Sequence, residues 1–525
     1  MQLRCAERGR PLRAALTTCV VLAARDESCL NHPVVEGGRV NRRGFVALAG
    51  ATVVALAGGR IPAALGARRA ATINGYVSRP DLNPPAISFD FPADGTASGS
   101  IFLAPFDITA ASGAYQSTPN AKSHSGPLIV DDFGEPIWFL PLGSTTAMDV
   151  RLQEYQGRTV LTWYEGTVLG AEGGSWVIFD PTYHEVARVK AGHGRHGDLH
   201  DLQLTSEGTA LITIYREIAT PAVPRLVTGI VQEIDVASGR VIFEWRSNEH
   251  VGIDESYMPQ VAPAGNVDYF HLNSIDVDTD GNLLVSARNT STVYKVDRKS
   301  GAVLWRLGGM KSDFVVDPAA SFAFQHDVRR RADGTITIFD NNAAAPGAQT
   351  QSRGLRVELD MKKMQASLVA EYLPPAARTT WAMGNVQELP DGGVFIGWGT
   401  DGSFTELGPD GSVRVDGRFA DGSVSYRAFR FDLEAKPKGR PATEVLRNAD
   451  GSLTMYVSWN GATQIARWQL LAGASKASMK PVGTFRRTGF ETAIPLPVPR
   501  GTVTVVALDA HGRQLRASAP TVLQV

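Results

Sequence analysis

A chain of 525 residues is long enough for two or more domains, or for one large repeat fold with additions. Its apolar content of 43% is ordinary for a globular protein, and a formal net charge of −1 argues against nucleic acid or an anionic membrane surface as the main partner. The three cysteines, Cys5, Cys19 and Cys29, precede everything else, so the rest of the chain is without a disulfide, a thiolate metal site or a cysteine nucleophile.

Residues 1–71 read as a leader. Asn41-Arg42-Arg43-Gly44-Phe45-Val46-Ala47-Leu48 resembles a bacterial twin-arginine export signal. An alanine-rich apolar run to Ala57 follows, and then small residues from Ala63 to Ala71 where cleavage is expected. The run is short for a membrane span, so no stable span is expected after cleavage, and the protein is expected outside the cytoplasm: extracellular, periplasmic or at the cell surface. The forty residues ahead of the arginine pair suggest a start codon assigned too early, with Val40 as a candidate start. Residues 72–123, proline-rich from Tyr76 to Pro85, are expected to form an extended segment packed on the main fold.

From residue 124 to 437, short strands and turns alternate, and a polar residue recurs eight positions before a turn glycine. Asp149 stands before Gly157, His200 before Gly208, Asn273 before Gly281, His326 before Gly334 and Asn385 before Gly393. His271 lies two residues before Asn273, on the same strand face. Seven residues after the glycine, the outgoing strand offers Tyr164, Tyr215, Arg288 and Asn341. Each unit reads as four strands, and a period of roughly 40–60 residues with four strands is the mark of a β-propeller blade. Five units are visible, and the hairpin around Trp138 is expected to join a late strand, Tyr426–Phe431, to close a sixth. Residues 438–525 alternate apolar and polar residues in strand-length runs, as a small β-sandwich resembling a fibronectin type III module would. The expected fold is all-β.

Polar groups at one depth on successive first strands would meet at one end of a central channel. That places His200, His271, Asn273, His326, Asn385 and Asp149 around one funnel, joined by Arg288, Tyr215 and Asn341 from the adjacent strands. Three histidines suit metal binding. With an arginine beside them they suit transfer of an anionic group better, because a guanidinium matches oxyanions and repels a metal cation. A binding propeller without catalysis, and a metal- or quinone-dependent enzyme, remain the alternatives. Trp245 and Trp305, each after a Ser-Gly turn, are read as packing groups between blades, and His193 and His196 as part of a solvated glycine-rich loop.

The ordered segments His200-Asp201-Leu202, His271-Leu272-Asn273-Ser274-Ile275, Ser286-Ala287-Arg288 and Phe324-Gln325-His326-Asp327 with Phe339-Asp340-Asn341 resemble the bacterial arylsulfotransferase family. The resemblance runs from about Tyr76 to about Leu433. It implies a six-bladed propeller that moves a sulfuryl group from an aryl sulfate to a phenol, with no nucleotide donor and no cofactor. It also implies a ping-pong course in which a histidine is transiently sulfated. His326 falls on that nucleophile, His271 and Arg288 on the groups that hold the sulfuryl oxygens, and His200 on a further active-site histidine. Asn273, Asn341, Asn385 and Tyr215 are the expected substrate-binding residues. The chain departs from the family's best-known members in lacking their cysteine pair and in carrying the C-terminal module.

Overall fold

The computed structural model describes residues 75–111, 114–118, 123–166, 173–259, 265–342, 351–498 and 500–523. The leader, its arginine pair and all three cysteines lie outside the described residues. The described chain is nearly all β. Among the described residues no helix is long and apolar enough to cross a membrane.

Six sheets of four or five strands follow one another along the chain. The second is Thr146–Tyr155, Arg158–Gly166, Gly174–Phe179 and Glu185–Val189. The third begins with Leu202–Leu204 and Thr209–Ile218, the fourth with Leu272–Val277 and Leu283–Ala287, the fifth with His326–Arg330 and Ile336–Asp340, and the sixth with Asn385–Glu388 and Val394–Gly397. Within each of these five, successive strands pair antiparallel, as the Asp-Gly and related turns between alternating apolar runs require.

The first sheet is composite. Its order is Phe429–Phe431, Ser100–Leu103, Leu128–Val130 and Pro136–Phe139. The late strand joins the hairpin around Trp138, but through a strand drawn from residues 72–123. That segment therefore does more than pack against the fold. A second strand from it, Ile87–Phe91, pairs with Val413–Phe419 at the edge of the sixth sheet. The reason is visible in Ser100–Leu103, where Ile101, Phe102 and Leu103 are all buried, as a strand covered on both faces must be.

Each sheet shares a buried apolar cluster with the next. Trp138 of the first meets Trp163 of the second, and Trp176 of the second packs with Ile212 and Ile230 of the third. Trp245 and Val285 join the third to the fourth, Leu284 and Ile338 the fourth to the fifth, and Phe339 and Trp398 the fifth to the sixth. Phe395 and Phe404 of the sixth pack with Leu128 and Phe139 of the first. Trp245 donates from Nε1 to Gly301 O at 3.1 Å, pinning the third sheet to the Ser-Gly turn of the fourth.

Residues beyond Pro437 form two further sheets over one core that includes Met455, Val457, Trp468, Leu470, Ile494 and Val505. They are tied to the first sheets at several points. Asn460 brackets Phe139 with bonds to its N–H and C=O, and Tyr183 donates to Gly461 O at 3.0 Å. The Glu491 carboxylate accepts the main-chain N–H groups of Val77 and Ser78, while Tyr76 packs on Phe490 at 4.4 Å.

Candidate functional site

Three of the five recurring polar positions, Asp149, Asn273 and His326, sit at an irregularity. The first strands of the second, fourth and fifth sheets each shift register at this depth, between Met148 and Arg151, Leu272 and Ser274, and His326 and Arg329. Asp149 and Asp327 there have φ values of 56° and 51°, and His271, just before Leu272, has 56°. Such bulges turn a side chain off the normal alternation, and they concentrate where a site is being built.

The residues that follow fasten one sheet to the next. Asp201 accepts from the N–H of Ile275, Ser274 Oγ from Val328, and Asp327 from Val386. Asn385 does the same with its own side chain. Its Nδ2 donates to Ala428 O and its Oδ1 accepts from Ala428 N, so both ends of the amide hold the closing strand rather than facing the funnel. Asn273 is fully buried, with Nδ2 donating to Gln325 O at 2.6 Å.

Around this frame the three histidines converge. The rings of His200 and His271 are 5.1 Å apart, and Tyr215 lies 5.2 Å from the first and 5.5 Å from the second. Tyr215 is held there by its hydroxyl, which donates to Leu272 O at 2.6 Å. Tyr426 stands 5.6 Å from His200 and 6.4 Å from His326, linking the three imidazoles into one group. Its ring is buried, and its hydroxyl has no hydrogen-bond partner among the described residues. His193, by contrast, is largely exposed on its loop and pairs with Glu244.

Each imidazole has a different backing. His200 Nδ1 meets Asp198 Oδ2 at 2.5 Å, and His271 Nδ1 meets Asp268 Oδ2 at 2.5 Å. His326 Nδ1 meets a neutral amide, Asn341 Oδ1, at 2.7 Å, and its Nε2 accepts from the main-chain N–H of Met383 at 3.2 Å. The electrostatic result follows. Burial, then the Arg288 cation, hold His326 well below the ordinary imidazole pKa, so the ring is neutral at pH 7. Burial also lowers His271, but the Asp268 carboxylate opposes it. Asp198 is pushed up by burial, yet the neighbouring His200 outweighs this and keeps it below its usual value.

Arg288 is fixed as a cation facing this group. It donates from Nη1 to Asn289 Oδ1 at 2.8 Å and from Nη2 to Trp381 O at 3.0 Å, and its guanidinium lies 4.8 Å from the Phe324 ring centroid. Thr380 to Gly384 form a strap whose main chain meets the site throughout. Asn341 Nδ2 donates to Thr380 O and Met383 O, and Gly384 N donates to Tyr426 O. A neutral imidazole nucleophile, two carboxylate-backed imidazoles and a guanidinium can together accept, hold and release a small oxyanion. Among the described residues no group of three or more His, Cys, Asp or Glu side chains is placed to hold a metal ion.

Next to the site lies a hub of charge. Arg427 is completely buried, with Nη1 3.1 Å from both Asp149 Oδ2 and Asp201 Oδ1, and Nε 3.3 Å from Asp327 Oδ1. Arg151 and Arg329 complete it on Asp201.

Residues 151–420 match the family model described as Arylsulfotransferase (ASST), just over half of the chain. The chain belongs to the arylsulfotransferase family. No curated protein matches it. Among solved structures, a Bacteroides caccae protein of unknown function is 13% identical, with 60% of this chain and 92% of that one covered and a TM-score of 0.35. A streptogramin B lyase is 10% identical, covering 70% and 94%, at a TM-score of 0.33. The Staphylococcus aureus virginiamycin B lyase, with quinupristin, is 9% identical, covering 71% and 96%, at 0.31. At such TM-scores none of these likenesses bears on what this arylsulfotransferase-family chain does.

Sequence spacing thus pointed to His200, His271, His326, Arg288, Tyr215 and Asn341, which the structure brings together. It missed Asp198, Asp268, Asn289, Tyr426 and the strap. The two aspartates had a local signal, two residues before His200 and three before His271, but outside the repeat offset.

Proposed function

We propose that this protein is an exported aryl sulfotransferase that works through a sulfated His326. The observation that carries the reading is the unequal backing of the three imidazoles. The ring with an amide partner and an arginine nearby stays neutral and nucleophilic, while the Asp198 and Asp268 carboxylates stand behind the other two, where they would stabilise positive charge as it forms on a ring that exchanges a proton with substrate.

In the first half-reaction, the Nε2 lone pair of His326 attacks sulfur in line, and the S–O bond to the aryl group breaks. The electron pair leaves on the phenolic oxygen, which takes a proton from His271 or His200. Arg288 faces the sulfuryl oxygens throughout. In the second half-reaction an acceptor phenol gives up its proton to the same histidine and attacks sulfur, and the N–S pair returns to Nε2. Donor binding has to lift the Met383 N–H off Nε2, since both need the same lone pair. Donor and acceptor are small aryl molecules, and the reaction as written draws on no cofactor. We further propose that the six sheets are the blades of one propeller, that the C-terminal sheets are a fibronectin III-like sandwich, and that residues 1–71 direct export by the twin-arginine route.

The test is the intact mass of the purified protein after brief exposure to p-nitrophenyl sulfate without acceptor, beside His326→Ala. The expected result is one added sulfuryl group on the wild type only, lost when phenol is added. No adduct, and no p-nitrophenol released with several phenols offered, would refute sulfotransfer and leave a ligand-binding propeller. Loss of turnover with chelator would instead favour metal chemistry.

A further inference from the structure

Resting on that reading, we infer that Asn341 is a positioning residue: it selects the imidazole nitrogen of His326 that receives the sulfuryl group. Asn341 is fully buried just past the strand Ile336–Asp340. Its Nδ2 has two neighbours, Thr380 O at 3.1 Å and Met383 O at 3.0 Å. Both are carbonyl oxygens and can only accept. The amide nitrogen must therefore face them, which turns Oδ1 to the histidine ring at 2.7 Å. An acceptor at that position requires a proton on Nδ1. A neutral imidazole has one N–H, so Nε2 is left with its lone pair.

The other side of the ring gives the same answer independently. Nε2 faces the main-chain N–H of Met383, which can only donate, at 3.2 Å. Donor-only and acceptor-only groups on opposite nitrogens thus fix one tautomer. They fix it through the strap Thr380–Gly384, whose carbonyls orient the amide and whose N–H marks the reactive nitrogen.

The arrangement also suits the chemistry. As Nε2 bonds to sulfur and the S–O electron pair departs with the aryl oxygen, positive charge grows on the ring while Nδ1 keeps its proton. Asn341 Oδ1 accepts that proton's hydrogen bond more strongly as the charge builds. A carboxylate in its place would do this better, but would also favour a protonated ring with no lone pair to offer. The groups facing His326 from the other elements are the Arg288 cation, the His271 and His200 rings and the Tyr426 ring. Asp327, the next residue, is committed to Arg329 and Arg427.

The experiment uses the exported protein with 15N-labelled histidine, as wild type, Asn341→Leu and Asn341→Asp, with His326→Gln to assign the ring. Long-range 15N–1H correlation reads the tautomer, and kcat/KM for p-nitrophenyl sulfate is followed against pH. Wild type should carry its proton on Nδ1. Asn341→Leu should lose that preference and fall in kcat/KM on the order of 10²–10⁴-fold, the scale at which a misplaced tautomer costs other imidazole enzymes. Asn341→Asp should keep Nδ1–H and move the acid limb of the profile to higher pH, a change that simple loss of packing would not produce. A wild-type proton on Nε2, kcat/KM within threefold of wild type in Asn341→Leu, or an unmoved acid limb in Asn341→Asp would overturn the assignment. Should Asn341→Leu fail to fold, the wild-type spectrum and the Asn341→Asp limb still decide. A wild type that never takes up a sulfuryl group refutes the sulfotransfer reading itself. The spectra need no turnover and so separate the two failures.

Discussion

Replacing Arg427 with Met should destabilise the protein severely, and the structure sets the scale. Arg427 is one of three arginines, with Arg151 and Arg329, buried against three aspartates, Asp149, Asp201 and Asp327. The hub is formally neutral, so removing one cation leaves one uncompensated negative charge with no water to take it up. At 3.1 Å, and with an effective dielectric near 20, each of the two closest contacts is worth about 5 kcal/mol before desolvation is subtracted. The net cost of breaking a buried pair by removing one partner is about 3–5 kcal/mol. Against a typical folding stability of about 5–15 kcal/mol, that is a large share. Urea unfolding followed by tryptophan fluorescence would measure it in wild type, Arg427→Met, and Arg427→Met combined with Asp149→Asn. The double variant restores neutrality and should recover part of the loss. An Arg427→Met protein within 1 kcal/mol of wild type, or a double variant less stable than the single one, would refute the account of the hub as an interdependent ion cluster.

Four further outcomes follow from other contacts. Because burial and Arg288 hold His326 well below the ordinary value near 6.5, its acid limb in kcat/KM should lie well below pH 6.5; a limb at or above 6.5 that vanishes in His326→Ala would contradict the neutral nucleophile. The same shift lowers stability in acid. As pH falls below about 6.5, an unfolded histidine takes a proton that the folded one refuses, so the unfolded state binds more protons and unfolding becomes easier, measurable as a falling urea midpoint. Asp268→Asn removes the carboxylate behind His271 and should slow turnover about 10²-fold or more with poorly leaving phenols, and less with p-nitrophenol; equal losses across leaving groups would remove His271 from proton transfer. Glu491→Ala should free Tyr76 to Ser78, at about 1–3 kcal/mol, and speed proteolytic cleavage there without altering kcat; cleavage at the wild-type rate would show that Glu491 does not hold the segment.

Much of the site was legible because its positions obey a period. A residue eight before or seven after a turn glycine is placed by strand geometry, and that geometry carries His200, His326, Arg288, Tyr215 and Asn341 to one place, with His271 two residues ahead of the periodic Asn273. What escaped has no period. Asp198 and Asp268 lie in the connections leading into first strands, where the return of the chain, not the repeat, sets direction. The strap Thr380–Gly384 is irregular backbone held in shape by bonds from Asn341, Arg288 and Gly384. Asn385 occupies a site-type position, but its sheet borders the closing strand, and two unpaired main-chain groups of Ala428 claim its amide. The fold shows the same division. Antiparallel units could be read from turns, whereas Ser100–Leu103 entering the first sheet depends on contacts with residues more than three hundred positions away.

On the propeller reading proposed above, the hub around Arg427 would also close the channel. Its six charged side chains come from several sheets, and none is more than 10% exposed. A molecule could pass through only by prising apart buried ion pairs. On the same reading, the histidines beside it would be closed off on the side of the hub. There the first phenol would have to leave before the next could enter. On the sulfotransfer reading proposed above, a donor and an acceptor sharing one way in could not meet at sulfur, so the group would wait on His326 between them, and excess acceptor should inhibit by competing with the donor.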